Sequence, residues 1–366
     1  MPGQTMLRRK EPGKMFKNIS IEGFRGIKHL QIDDFRQINL FVGENNCCKT
    51  SILECLFFLT APTNISLPAV RVNAFRGFTE VHENSWKILF NKLAINTDIE
   101  ISTETSKPLE RRHLLIKVDK ELTSEPVVID KDKAGNYSGM APVIDGLILE
   151  YSLRKKTGGK PKKYIAKVYK NKEELQYSFP PDYKDIANGV FIRPENNYND
   201  IYTLLDSIQR KKRLHGIIKI LQQIEPSLVD LSLGAWGIIN CDIGLQELIP
   251  VNIMGNGITR ILSIISTISE MSNGIVLIDE IENGFYYTSQ KILWEAIFTA
   301  AKEFNVQVFA TTHSMDCIRA LSNAYTDRDN DKIRLYRVER NDDDFKVISY
   351  DHNVLRASLE SDWEVR

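Results

Sequence analysis

The chain has 366 residues, 42% of them hydrophobic and 26% charged, an ordinary globular composition long enough for one large domain or two modest ones. Lys plus Arg and Asp plus Glu both count 48, a formal net charge of zero that argues against a protein coating nucleic acid over its whole surface and leaves only a local basic patch as a DNA contact. No apolar run approaches the roughly 20 residues of a membrane span, no secretory leader pattern is visible, and the five cysteines (Cys47, Cys48, Cys55, Cys241 and Cys317) lack the CxxC spacing of a metal site or the even count of a disulfide framework, so a cytoplasmic protein without a membrane partner is expected.

Residues 1–14 are basic and polar and read as a disordered extension. From Asn18 to Val42 the pattern predicts three strands, the last of them the apolar run Ile38 to Val42. A loop rich in Gly and Asn follows, then an apolar helix from about Thr50 to Leu59 that Ala61-Pro62 ends. The middle alternates in short runs, Ile99 to Thr103, His113 to Val118, Leu147 to Leu153 and Tyr164 to Tyr169. Breaks such as Ala134-Gly135-Asn136 and Thr157-Gly158-Gly159 separate them, which predicts an antiparallel subdomain inserted after the first helix. Helical patterns around Asn199 to Lys211 and Gly216 to Ile224 lead into strand-like sequence from Leu228 to Val251.

From Gly257 the apolar positions Ile258, Ile261, Leu262, Ile265 and Ile268 fall on one helical face. A strand (Ile275 to Ile278), a helix (Ser289 to Glu303) and a strand (Val306 to Ala310) come next, the alternation of a parallel α/β sheet. Two further strand-like runs, Ile333 to Val338 and Phe345 to Tyr350, complete the chain. The expected division is 1–14, a lobe over 15–70, an insertion over 71–250 and a second lobe over 251–366.

Three short segments carry chemistry. Gly43-Glu44-Asn45-Asn46-Cys47-Cys48-Lys49-Thr50-Ser51 follows G-x-x-x-x-G-K-[ST] except that Cys48 stands in place of the second glycine. Between an apolar strand and a helix, its backbone N–H groups are placed to cradle the phosphates of ATP, with Lys49 adding charge and the Thr50 hydroxyl holding Mg²⁺. A Cβ at position 48 crowds the phosphate, so weakened binding or turnover is expected; a redox role is the alternative, since a helix N-terminus beside Lys49 lowers a thiol's pKa. Ile275-Val276-Leu277-Ile278-Asp279-Glu280 reads as a doubly buried strand delivering two acids at its carboxyl end: Asp279 for Mg²⁺, and Glu280 to orient or activate the attacking water. His313, in Thr311-Thr312-His313-Ser314 beyond another buried strand, is a second catalytic candidate beside the γ-phosphate.

These three segments, in this order, resemble the ABC-type ATPase heads of the SMC, RecF and OLD (overcoming lysogenization defect) group. The stretch Ile19-Ser20-Ile21-Glu22-Gly23-Phe24-Arg25-Gly26-Ile27 is similar to the group's opening strands, and Asp279-Glu280-Ile281-Glu282-Asn283-Gly284 to its Walker B segment and the loop after it. The resemblance implies an α/β P-loop NTPase with an ABC-type head, a central mostly parallel sheet and an antiparallel β-rich subdomain. It also implies ATP and Mg²⁺ as cofactors, Arg25 at the nucleotide, and a homodimer sandwiching ATP. In such a dimer a signature segment of one head covers the nucleotide of the other; the candidate is Met254-Gly255-Asn256-Gly257, with Gly255 and Gly257 as contacts and Arg260 one turn further on. About 50 residues follow His313, too few for the nuclease domain that OLD proteins append, so the resemblance points to a separate effector chain, a nuclease or toxin, in bacterial anti-phage defence. The rivals are a RecF-like repair ATPase using the basic clusters Arg154-Lys155-Lys156 with Lys160, Lys162 and Lys163, and Arg210-Lys211-Lys212-Arg213, or a nucleotide-sensing scaffold with little turnover.

Overall fold

The computed structural model describes residues 15–78, 85–106, 109–124, 143–171, 174–185, 187–194, 198–325, 331–341 and 344–366. The extension over 1–14 and the turn at Ala134-Gly135-Asn136 lie outside them. In chain order the first elements are strands β1 (Ile19–Phe24), β2 (Ile27–Ile32) and β3 (Ile38–Val42), then helices α1 (Lys49–Phe58) and α2 (Leu67–Ala74). Strands β4 (Ile99–Glu104), β5 (Glu110–Val118), β6 (Thr123–Ser124), β7 (Val143–Ile144), β8 (Gly146–Lys155), β9 (Lys162–Asn171), β10 (Glu174–Ser178) and β11 (Gly189–Ile192) follow. Helices α3 (Tyr198–Arg210) and α4 (Leu214–Gln222) precede β12 (Asp230–Leu233), β13 (Ile239–Asp242) and β14 (Ile249–Pro250). The remainder is α5 (Asn256–Glu270), β15 (Ile275–Ile278), α6 (Gln290–Phe304), β16 (Gln307–Thr311), α7 (Met315–Ala324), β17 (Ile333–Asn341), β18 (Asp344–Tyr350) and α8 (His352–Glu360).

Two sheets dominate. One runs in the order β11-β15-β16-β3-β17-β18, parallel from β11 to β17, with β18 antiparallel at its edge. Its inner strands β3, β15 and β16 are buried along their whole length because both faces are covered. Ile38, Leu40, Val276, Ile278, Val308 and Ala310 face the helices that follow residue 198, whereas Phe41, Ile275, Leu277, Phe309 and Tyr336 face α1. On that second face Phe35 meets Phe309 edge-on at 4.9 Å and Tyr336 at 5.6 Å.

The other sheet is antiparallel, in the order β10-β9-β8-β5-β4-β1-β2. The sequence places the middle strands in a subdomain of their own, but β4 pairs directly with β1, so the inserted strands extend the sheet that the N-terminal hairpin begins. The reason is β1 itself: Ile19, Ile21 and Phe24 are buried in the core shared with β4 and β5, and its free edge takes β4 in register at Ile21↔Ile101. Helix α1 lies between the two sheets and is buried on almost every side, including Ile52, Leu53, Leu56, Phe57 and Phe58. Several elements escaped the pattern reading, among them α2, β10, the four-residue strand β11, which lacks alternation, and the amphipathic helices α7 and α8. Among the described residues, no helix is long and apolar enough to cross a membrane.

Candidate functional site

Register brings the site together. Ile278 lies opposite Ala310, and Ala310 opposite Leu40, so the carboxyl ends of β15, β16 and β3 reach one edge of the sheet. Asp279, Thr311 and the loop from Gly43 emerge there, where open α/β sheets bind ligands.

The loop between β3 and α1 depends on its unusual backbone angles. Gly43 has φ +142°, and an added Cβ would collide with the Val338 carbonyl and the Cys47 sulfur. Asn46 and Cys48 both sit at φ +63°, the left-handed region. Position 48 therefore keeps the conformation a glycine would take there, and an L-residue holds it under strain. Room for the Cys48 side chain comes from Gly26 in the β1–β2 turn, where a Cβ would stand 2.8 Å from the sulfur. Burial, then the neighbouring Cys47, push the Cys48 thiol up to about 11. That opposes the redox reading, because at neutral pH the group is a thiol and not a thiolate.

Lys49 opens α1, and its Nζ donates to the carbonyls of Gly43 and Glu44, both at 2.8 Å, inside the loop. The Thr50 hydroxyl donates to the two carboxylate oxygens of Asp279, 3.1 Å from each. Thr311 Oγ1 donates to Asp279 at 2.7 Å and accepts the Glu280 N–H at 2.8 Å. Burial raises the Asp279 carboxyl above its ordinary range, and the two threonine hydroxyls oppose that shift. Glu280 sits at φ +47°, and Asn283 Nδ2 donates to its carboxylate at 2.6 Å. The His313 N–H donates to Glu282 Oε1 at 2.7 Å. Ser51 is buried in the first turn of α1.

Two openings flank the loop. A cavity of about 950 Å³ is lined by residues Gly43 to Cys47, Asn45 among them, together with Arg337, Arg340 and Arg366. A cleft of about 110 Å³ on the other side holds Thr50 and Asp279 with Arg76, Arg193 and Pro194. A third groove, between α7 and α8, about 510 Å³ and lined in part by Arg319, His352 and Arg356, includes none of these residues and lies apart from the site.

Arg25 does not line either opening beside the loop. Its guanidinium pairs with the fully buried Glu54 of α1 at 2.8 Å and donates to the Val72 carbonyl at 3.2 Å. The other oxygen of Glu54 holds Arg76 at 2.8 Å beside the cleft. Gly255, at φ +103°, caps α5 with open space around it, and Gly257 lies against Phe285 of the loop that follows Glu280. The segment from Gly255 is thereby a neighbour of the Asp279–Phe285 stretch. Arg260 turns inward and donates to the carbonyls of Arg193 (2.9 Å) and Pro194 (3.3 Å), so it braces the cleft's rim.

Arg76, Arg193, Glu54 and Thr311 were missed from sequence. Arg193 had a signal: an apolar run ending in Arg-Pro beside the Asp279 strand. Glu54 had none, since an acid within an apolar helix reads as a surface residue until both sheets cover it.

A strand, a phosphate-type loop, a buried helix and a carboxylate hydrogen-bonded to the loop's threonine define a P-loop nucleotide-binding head, an α/β fold with a parallel sheet and an antiparallel sheet around α1. A family model described as an AAA ATPase domain matches residues 15–177 and 144–318, and the chain belongs to that family, whose general activity is ATP hydrolysis. It is similar to an "ATP/GTP phosphatase" of Helicobacter pylori, 21% identical over 363 residues, covering 86% of this chain and 90% of that protein. An uncharacterised protein of Methanocaldococcus jannaschii is 46% identical over 54 residues, 14% of this chain and 25% of that one. Among solved structures, an SMC head bound to the C-winged helix domain of ScpA aligns over 94% of this chain and 99% of its own at 13% identity, TM-score 0.49. The SMC head domain from Thermotoga maritima aligns over 92% and 98% at 10% identity, TM-score 0.42.

Proposed function

We propose that the chain is an ATP-gated head of ABC type, working as a homodimer that controls a separate effector protein, a nuclease or toxin, in bacterial anti-phage defence. The observation that supports this most is the Thr50–Asp279 contact inside the Lys49 loop. It pairs a hydroxyl and a carboxylate, the oxygen donors Mg²⁺ takes alongside phosphate and water. A cation also suits Asp279, whose charge is disfavoured by burial. Thr50 and Asp279 would hold Mg²⁺, which when bound neutralises charge on the β- and γ-phosphates.

The chain's own groups supply the rest. Backbone N–H groups from Asn45, Asn46, Cys47 and Cys48 through Ser51 would hold the phosphates, and the Lys49 ammonium, now on two loop carbonyls, would supply them positive charge. Glu280, steadied by Asn283, accepts a proton from the attacking water or orients it. His313, at the neighbouring strand end, would be the candidate contact to the γ-phosphate, while Arg76 and Arg193 add positive charge in the cleft. In the dimer, Gly255 and Gly257 and the start of α5, whose first N–H groups have no side-chain cap, cover the partner's nucleotide.

The strained Cys48 favours slow turnover, which suits a switch that holds ATP. The basic clusters favour direct DNA handling less, since Lys156 already pairs with Glu104, Arg210 with Asp206 and Lys211 with Glu270. Light scattering of the Glu280→Gln variant, with and without Mg·ATP, tests the proposal. ATP-dependent doubling of mass is expected, and a monomer at every nucleotide concentration would refute the dimeric switch.

A further inference from the structure

The segment that follows α8 runs back to the P-loop. Its course is fixed by several contacts. The Trp363 N–H donates to the Ser358 carbonyl at 2.9 Å, and Arg337 of β17 donates to the Glu364 carbonyl at 2.8 Å. Val365, 1% exposed, is set into the core on the helix side of the parallel sheet. β17 in turn pairs with β3, whose end is the P-loop. Arg366 is thereby delivered to the 950 Å³ cavity beside Gly43 to Cys47, where its Nη1 donates to the His313 carbonyl at 3.3 Å. Glu364 Oε1 stands 3.7 Å from Arg366 Nε, close enough to orient the guanidinium and too far for a hydrogen bond.

The cavity carries Arg337, Arg340 and Arg366 against the carboxylates of Glu44 and Glu339, in a chain whose net charge is zero. Arg337 is committed to Glu339 at 2.8 Å and to the Glu364 carbonyl. The charge of Arg340 is felt at Cys48, at the foot of α1. Arg366 is held mainly by a backbone carbonyl, which orients a cation without neutralising it.

We propose that Arg366 is a nucleotide-binding residue, bringing a guanidinium to an anionic part of the bound nucleotide and tying it to the His313 segment. This rests on the nucleotide-head reading and adds to it a contact from outside the P-loop, Walker B and signature segments. A guanidinium suits phosphate because its fork donates two hydrogen bonds in one plane.

The test is titration of the full chain with a fluorescent ATP analogue and Mg²⁺, for the unaltered protein, Arg366→Ala, Arg366→Gln and Arg356→Ala. Arg356 pairs with Glu360 on α8 and lines the separate groove, so it controls for loss of a nearby charge. Both Arg366 variants are expected to raise Kd by about 5- to 10-fold, an effect that shrinks as salt is added, with Arg356→Ala within about twofold of the unaltered chain. The Arg366 side chain is 44% exposed, so both variants should melt within about 2 °C of the unaltered protein. An unchanged Kd in both Arg366 variants, or an equal rise with Arg356→Ala, overturns the proposal alone. Failure of the unaltered chain to bind the analogue overturns the nucleotide-head reading, and this proposal with it.

Discussion

Replacing Cys48 with glycine sets two opposed effects against each other. The residue sits at φ +63°, ψ +19°, where an L-residue pays about 1–2 kcal/mol that glycine does not. Glycine in turn loses about 0.4–1 kcal/mol through the greater freedom of its unfolded chain. It also gives up the packing of a partly buried thiol against Gly26, worth up to about 1 kcal/mol. The sum lies between about −1 and +1.6 kcal/mol, so Tm should move by no more than about 3 °C in a chain of this size. Nucleotide binding should change more clearly, because the loop already has the glycine conformation and only the Cβ and sulfur are removed. Kd for Mg·ATP is expected to tighten by about 3- to 10-fold, or roughly 0.7–1.4 kcal/mol. Cys48→Ala separates the two atoms: it keeps the Cβ and the strained φ, so it should melt below both proteins without gaining affinity. Calorimetric titration and thermal melting read these quantities. A loss of more than about 5 °C in Cys48→Gly would mean that thiol packing outweighs backbone strain, and an unchanged Kd would mean that the side chain does not crowd the phosphates.

Three further outcomes follow from the same geometry. Glu54→Ala leaves the largely buried Arg25 without its partner and should cost about 3 kcal/mol or more, read as a large drop in Tm or in soluble yield, with Glu54→Gln milder. Asp279→Asn should abolish Mg²⁺-dependent turnover yet raise the Tm of the nucleotide-free protein. Burial lifts the Asp279 pKa on folding, so its contribution to stability is fullest below the ordinary carboxylate range and is lost as pH rises through the raised value. The Tm gap between Asp279→Asn and the native chain should therefore widen as pH rises from the ordinary carboxylate range through the raised value and level off above it; a gap constant across that whole rise would contradict the burial argument. With its thiol pushed up to about 11, Cys48 should react with iodoacetamide at pH 7.5 roughly two orders of magnitude more slowly than a free cysteine, as mass spectrometry of the labelled peptide would show.

Much of the site was legible because each motif is local. The runs Ile38 to Val42 and Ile275 to Ile278 are short, almost wholly apolar and bounded by loop residues, the pattern of a strand buried on both faces. Once those strands are parallel and in register, Thr50 and Asp279 must meet. What was hidden depends on long-range closure. Arg25 stands in a recognisable segment, but its direction is set by Glu54, an acid that only the second sheet buries. Arg260 stands one turn beyond the signature candidate in sequence, but its hydrogen bonds to the Arg193 and Pro194 carbonyls depend on β11, a strand too short to announce itself. Arg366 reaches the P-loop only because Val365 anchors the segment in the core, and nothing near it in sequence hints at that.

Steady-state hydrolysis of Mg·ATP by the purified chain, beside Lys49→Ala and Glu280→Gln, bears most directly on the nucleotide-head reading. Measurable turnover in the native chain should fall by about 100-fold or more in Glu280→Gln with nucleotide binding retained, and Lys49→Ala should lose the binding itself. Turnover that survives both substitutions, or a native chain that neither binds nor hydrolyses ATP, would contradict it.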